Sequence, residues 1–162
     1  ESGERIGTVH ISVEATTVGS GILLSQDVDI YEGETAAETV VRMLQNNGYS
    51  VDYTGNYETG FYLARISSES NFVTGNIPED LRTKLEEHGF EIYDFTPNSL
   101  GDYDFTKGSG WMYQVNGVYP NYGLSDYCFQ NGDTLRLRFT LAYGADIGQD
   151  MTGGSDNWGY EW

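Results

Sequence analysis

The 162-residue chain is poor in the residues that staple, stiffen or charge-neutralise a protein. It has one cysteine, Cys128, so an internal disulfide and any cysteine-based zinc site are excluded. Three prolines stand against twenty-one glycines, a balance that favours many tight turns and a β-rich architecture. Basic residues are few: eight Lys and Arg face twenty-five Asp and Glu, for a formal charge of −17. Phosphate backbones and anionic membrane surfaces repel such a chain, so nucleic acid and membrane partners are disfavoured. No apolar run reaches membrane-spanning length, and no signal peptide is visible. The first residue is Glu1 rather than Met, as in a mature or excised segment.

What is present is an ordinary apolar fraction of 38% and an aromatic fraction of 14%, with thirteen tyrosines. The length suits one domain with a sizeable core. That many tyrosines exceed what such a core needs, which places some of them near the surface.

Local patterns give the order of elements. In "TVHISVE" Val9, Ile11 and Val13 alternate with His10, Ser12 and Glu14, the mark of a half-buried strand. "ILLSQDVDIYEGE" alternates likewise, and the "TTVGSG" loop between the two predicts a hairpin. "TAAETVVRMLQNNG" is the clearest helix. Thr35 and Glu38 form a capping box, Ala37, Val40, Val41 and Leu44 make one apolar stripe, and Gly48 supplies a left-handed stop. "SVDYTG" and "GFYLARI" read as strands. "NIPEDLRTKLEEHG" reads as a short second helix with Pro78 in its first turn, Leu81 and Leu85 one turn apart, and Gly89 as its stop. "FEIYDF" alternates again. "TLRLRFTLA" is a near-ideal strand, with Leu135, Leu137, Phe139 and Leu141 inward and Arg136, Arg138 and Thr140 outward.

The stretch "GSGWMYQVNGVYPNYG" carries the densest aromatics. Asn116-Gly117 is a strong type I′ hairpin signal, because that turn needs positive φ at both central positions. The register it sets puts Trp111, Tyr113, Val115 and Val118 on a core face, and Met112, Gln114 and Tyr119 on the other. Pro120 stops the pairing, since it lacks a ladder donor, so Asn121 and Tyr122 fall in a loop. Tyr119 and Tyr122 have no obvious core duty. They either face a ligand, where aromatics give contact area at low entropic cost, or pack under a neighbouring loop.

Residues 109–148 combine a Trp-containing strand at Trp111, the Asn116-Gly117 turn, Gly123-Leu124 with Tyr127, a Gly132-Asp133 turn and the alternating strand 134–141. This pattern resembles the transcobalamin-like C-terminal domain family of bacterial secreted and cell-surface proteins. The strand–strand–helix opening fits the same order, so the resemblance extends over residues 7–148. It implies an α+β, β-grasp-like mixed sheet packed on one main helix, here with an inserted second short helix. It also implies a ligand-facing role for Trp111, Tyr119, Tyr122 and Leu124; with Met112, Gln114 and Asn121 from the hairpin these are the candidate binding residues. A cobalamin-type ligand follows from the same resemblance, although the separate helical domain that supplies the cobalt ligand in transcobalamin has no counterpart here. Residues 1–6 then form an N-terminal tail and 149–162 a flexible tail or linker.

Catalytic signals are few. His10 lies on the outward strand face, His88 at a helix end suited to a cation on the helix dipole, and Cys128 beside Phe129 reads as a small buried hydrophobe. "GDYDFTKGSG" spaces Asp102, Asp104 and Thr106 like a calcium loop, but its Gly falls one place late and the twelfth position is Tyr113 rather than Glu. Asp146 and Asp150 add carboxylates nearby, so a surface calcium ion at Asp102, Asp104, Asp146 or Asp150 is weighed against plain turn chemistry. The expectation is a non-enzymatic module of an extracellular or cell-surface protein, bacterial and of Gram-positive type. It recognises a soluble small molecule or another extracellular protein and forms part of a larger surface protein. The alternative is a structural or adhesive spacer with no small-molecule ligand.

Overall fold

The computed structural model describes residues 3–149 and 158–162. The chain opens with a hairpin of β1 (Arg5–Ala15) and β2 (Gly21–Tyr31), paired antiparallel with Val9 opposite Val28 and closed by a 3₁₀ turn over Thr16–Val18. Helix α1 (Ala36–Asn46) follows, its first turn capped by the Thr35 hydroxyl, which accepts from the Glu38 N–H at 3.4 Å. Ala37, Val40, Val41 and Leu44 are buried as the stripe requires, and Gly48 ends the helix at φ +87°. Strands β3 (Tyr49–Thr54) and β4 (Tyr62–Ser68), helix α2 (Glu79–Glu87), and strands β5 (Ser99–Gly101), β6 (Gly110–Val115) and β7 (Thr134–Thr140) complete the order.

β7 returns to lie parallel to β1, with Val13 opposite Leu137, and gives a four-stranded mixed sheet in the order β2-β1-β7-β6. A hairpin, a helix and a final strand parallel to the first is the β-grasp arrangement expected from the sequence. Val9, Ile11, Val13, Leu135, Leu137 and Phe139 share one core with the α1 stripe. β3, β4 and β5 form a separate three-stranded antiparallel sheet. The indole of Trp111 ties the two together, its Nε1 donating to the Leu100 carbonyl at 2.9 Å.

Several local expectations are corrected. "FEIYDF" forms no strand. Phe90, Ile92 and Phe95 are half-buried anchors, Phe95 stacks on Phe105 at 4.6 Å, and the Tyr93 N–H donates singly to the Phe105 carbonyl instead of joining a ladder. Val118, assigned to the core, is 64% exposed. The Asn-Gly turn forms as expected, with φ +53° at Asn116 and +86° at Gly117, but the returning chain pairs only at Val118. The ladder partner of β6 is β7, so among the described residues Val118 pairs with Val115 alone and stays exposed at the sheet edge. Cys128 is exposed rather than buried, because alternation turns its neighbour Phe129 into the core instead.

Arg138 and Thr140, assigned outward, are both 2% exposed. The second face of the sheet is covered by residues 140–149 and by 158–162, where Glu161 bridges to Ile147 and the Trp158 and Trp162 N–H groups donate to Ala145 and Asp146 carbonyls. Under this cover lies an ion cluster. Glu14 accepts from Arg136 at 2.8 and 2.9 Å and from Ser12 at 2.7 Å, while Arg138 reaches Glu14 at 3.2 Å and Glu161 at 2.5 Å. Burial pushes the Glu14 carboxyl up, but the hydrogen bonds from Arg136 and Ser12 outweigh it and hold it below the ordinary range. Nearby, the buried Asp146 accepts from the Thr140 hydroxyl and the Leu141 N–H, and Thr140 in turn accepts from Ala142 and Gly144.

Two measurements check these clusters. A carboxyl depressed on folding stabilises fully above its unfolded value of about 4.3 and loses that contribution as pH falls through the folded value. Glu14→Gln is therefore expected to flatten the acid limb of Tm against pH, while lowering stability at neutral pH by about 3 kcal/mol through the uncompensated arginines. A variant whose acid limb matches the parent's would refute the assignment. Asp146→Ala leaves the Thr140 O–H and Leu141 N–H without an acceptor and is expected to cost about 2–4 kcal/mol in chemical denaturation.

Candidate functional site: an aromatic cavity at the edge of the sheet

The hairpin and the start of β4 enclose a half-open cavity of about 180 Å³. Trp111, Met112 and Tyr113 form its β6 wall, Phe61, Tyr62 and Leu63 the opposite wall, and Tyr119, Pro120, Gly123 and Leu124 its loop side, with Leu137 and Gln149 completing the lining. No charged side chain is among them, although the chain carries twenty-five acids.

The three tyrosine rings are held by their hydroxyls. The Tyr62 hydroxyl donates to Asp102 at 2.8 Å, the Tyr119 hydroxyl to the Ile147 carbonyl at 2.6 Å, and the Tyr113 hydroxyl to the Tyr122 carbonyl. Burial pushes all three phenols above the ordinary tyrosine value. At neutral pH they are uncharged, with ring faces left to the cavity. Trp111 packs edge-on against Phe139 at 5.2 Å, which fixes the indole between the core and the cavity. Leu124 begins a 3₁₀ turn, Leu124–Asp126, and the Ser125 hydroxyl accepts from the Phe61 N–H at 3.1 Å, which locks the loop to the opposite wall.

Of the candidate binding residues, Trp111, Met112, Tyr119 and Leu124 come together here. Asn121 and Tyr122 lie across the loop, in a shallow hollow shared with Asn116, Val118 and Tyr127, where Tyr122 stacks on Tyr127 at 5.7 Å. Gln114 lines neither; it is buried and accepts from Arg136 at 3.3 Å. Tyr113, read as core, is half-buried and shared between core and cavity. Phe61, Tyr62, Leu63 and Gln149 were not foreseen. "GFYLARI" showed a strand with aromatics, but nothing local in it points to the hairpin.

The carboxylates considered for calcium already have protein donors. Asp102 accepts from Tyr62, Asp104 from Arg65 and the Gly101 N–H, each at 2.8 Å, and Asp146 from Thr140 and Leu141; Asp150 lies outside the described residues. Among the described residues no group of three or more His, Cys, Asp or Glu is placed to hold a metal ion. The histidines stand apart from the cavity. His10 bonds Asp27 and Ser25 at 2.9 Å each, and His88 stacks on Trp158 at 4.6 Å.

Comparison with known proteins places part of this region. Residues 89–140 match the model of DUF4430, a domain of unknown function. That span runs from the end of α2 through β6, the Asn-Gly turn and the loop to β7. No curated protein matches. Among solved structures, haptocorrin in complex with Cbi is similar at a TM-score of 0.45 and 15% identity, over 84% of this chain and 25% of that one. The chain thus spans a quarter of the length of that solved protein.

Proposed function

We propose that the chain is a non-enzymatic recognition module of a secreted or cell-surface bacterial protein, and that it binds a soluble ligand through the cavity at β6. The observation that supports this reading is the preformed, uncharged aromatic cavity, whose rings are held by hydroxyls tied back to backbone carbonyls or Asp102. A concave, mostly apolar hollow with a few placed polar groups is the usual form of a small-molecule site. Its titratable groups are tyrosines whose values are raised by burial, and none is poised for proton transfer near neutral pH.

A corrinoid is the first small molecule to test, on the resemblance of residues 109–148 to transcobalamin-like domains. A corrin ring is far larger than about 180 Å³, so it would meet this site with a substituent at its rim rather than enter it. A single cap-like domain offers one face only, and affinity in the high micromolar to millimolar range follows from that limited contact. The spacer alternative assigns the same aromatics to packing alone.

Titration with dicyanocobinamide, followed by tryptophan fluorescence, is expected to give a saturable quench. Tyr119→Ala, which opens the loop side and removes the bond to Ile147, is expected to weaken it about tenfold or more while costing about 1–2 kcal/mol of stability. Absence of any change at millimolar protein overturns the corrinoid assignment. An unchanged affinity in Tyr119→Ala overturns the cavity as its site.

A further inference from the structure

Among the described residues, four that are not glycine hold left-handed backbone: Tyr103, Phe105, Asn116 and Tyr143. Two of them are accounted for. Asn116 tolerates that region within its turn, and Phe105 is 2% exposed and stacked on Phe95. Tyr103 and Tyr143, at φ +69° and +54°, are 71% and 49% exposed. Left-handed backbone is costly for an aromatic residue, and core burial offsets none of that cost at Tyr103 and little at Tyr143. Both rings line the same hollow, of about 380 Å³. Tyr62, tied to Asp102 at 2.8 Å, stands between it and the aromatic cavity.

The lining of this hollow differs in kind from that of the cavity. Asp102 and Lys107 bring one charge of each sign, and Gly108 and Gly110 leave bare backbone between them and the rings. The glycines answer to close approaches. A Cβ on Gly108 would stand 3.1 Å from the Tyr143 ring, and one on Gly110 would stand 2.9 Å from an Asp102 carboxylate oxygen. Gly108 is bridged to Ala142 and Gly110 opens β6, so the two lie about 7 Å apart on one side of the chain. The Tyr143 ring is thereby set beside one end of this backbone floor and the Asp102 carboxylate beside the other.

The polar groups here are also less committed. The cavity's tyrosine hydroxyls donate to protein acceptors, whereas those of Tyr103 and Tyr143 make no hydrogen bond among the described residues. Lys107 is exposed and makes no ion pair among them. The two Asp102 carboxylate oxygens share the Tyr62 hydroxyl, at 2.8 and 3.0 Å, and keep further lone pairs for other donors.

We propose that this hollow is a carbohydrate site that takes an uncharged pyranoside of gluco configuration. Such a sugar carries hydroxyls around its edge and C–H groups on its two faces. The C–H face suits the negative face of a tyrosine ring, and the edge suits a carboxylate acceptor, an ammonium donor and free phenols. An apolar ligand would desolvate Asp102 and Lys107 without pairing them. An anion meets the charge of −17, and a cation meets Lys107 at the hollow itself. The site is separate from the cavity beside Leu124, and the inference stands whether or not that cavity binds a corrinoid. One sugar ring makes few contacts, so affinity in the millimolar range follows.

The test uses the intact chain labelled with ¹⁵N and titrated with methyl β-D-glucopyranoside. Sorbitol, which has the hydroxyls without the ring faces, is the control. Saturable shifts of the Gly108 and Gly110 amide signals are expected with the glucoside and not with sorbitol. Saturation transfer from the protein is expected to be strongest at the C–H protons of one sugar face. Tyr103→Gly removes the ring and relieves the left-handed backbone, so it is expected to keep or raise Tm while weakening the glucoside about fivefold or more. Unmoved amides at about 100 mM glucoside, an equal response to sorbitol, or undiminished binding in Tyr103→Gly each overturn the proposal. A lower Tm in Tyr103→Gly assigns that ring to structure and overturns it as well.

Discussion

The parallel ladder between β1 and β7, with 10–14 against 134–138, joins the two ends of the domain and orients everything between them. Its pleat sends Ile11, Val13, Leu135 and Leu137 to the α1 side and Ser12, Glu14, Arg136 and Arg138 to the other. One register therefore specifies both the apolar core and the buried ion cluster. A slip by one residue would carry leucines to the face of the arginines and arginines into the core, a double penalty that keeps the register single. Burying Arg138, with Arg136 half-buried beside it, calls for paired acids, and Glu14 and Glu161 answer from opposite ends of the chain. The second face of the sheet is thus closed by charge pairing where the first is closed by packing.

The cavity follows from where this ladder stops. β6 is the last strand, and the three-stranded sheet approaches it without continuing its hydrogen bonds. The two sheets meet through side chains instead: Trp111 to the Leu100 carbonyl, Tyr62 to Asp102, and the Ser125 hydroxyl to the Phe61 N–H. These ties hold the walls apart and fixed. A site already in its binding shape loses less entropy on association than one that must assemble. Tyrosine suits such a wall, because its hydroxyl can be anchored to the protein while its ring face stays available.

The parts legible in the sequence are those whose cause is local. Thr35 and Gly48 bound α1 because cap chemistry acts within one turn, and Asn116-Gly117 forms its turn because positive φ is a property of those residues. Gathering Trp111, Met112, Tyr119 and Leu124 also needed only the hairpin and its loop. The failures have distant causes. Arg138 looked solvated until residues 158–162 were seen to cover it. Val118 looked buried because pattern alone does not reveal that, among the described residues, it pairs with Val115 and no further strand follows. Phe61, Tyr62 and Leu63 enter the site through β4, roughly fifty residues before the hairpin, and no period in the sequence records that contact.

The opposition between core aromatic and binding aromatic dissolves at Trp111. It is 6% exposed, packed on Phe139 and bonded to Leu100, yet its edge lines the cavity. A residue so fixed lends its rigidity to the surface it presents. The acidic charge is distributed on a different principle: it surrounds the cavity without entering its lining. Long-range field and short-range contact are thereby separated. The field disfavours anions within a Debye length of about 8 Å of the surface, while the lining of the cavity itself is made of uncharged rings and apolar side chains.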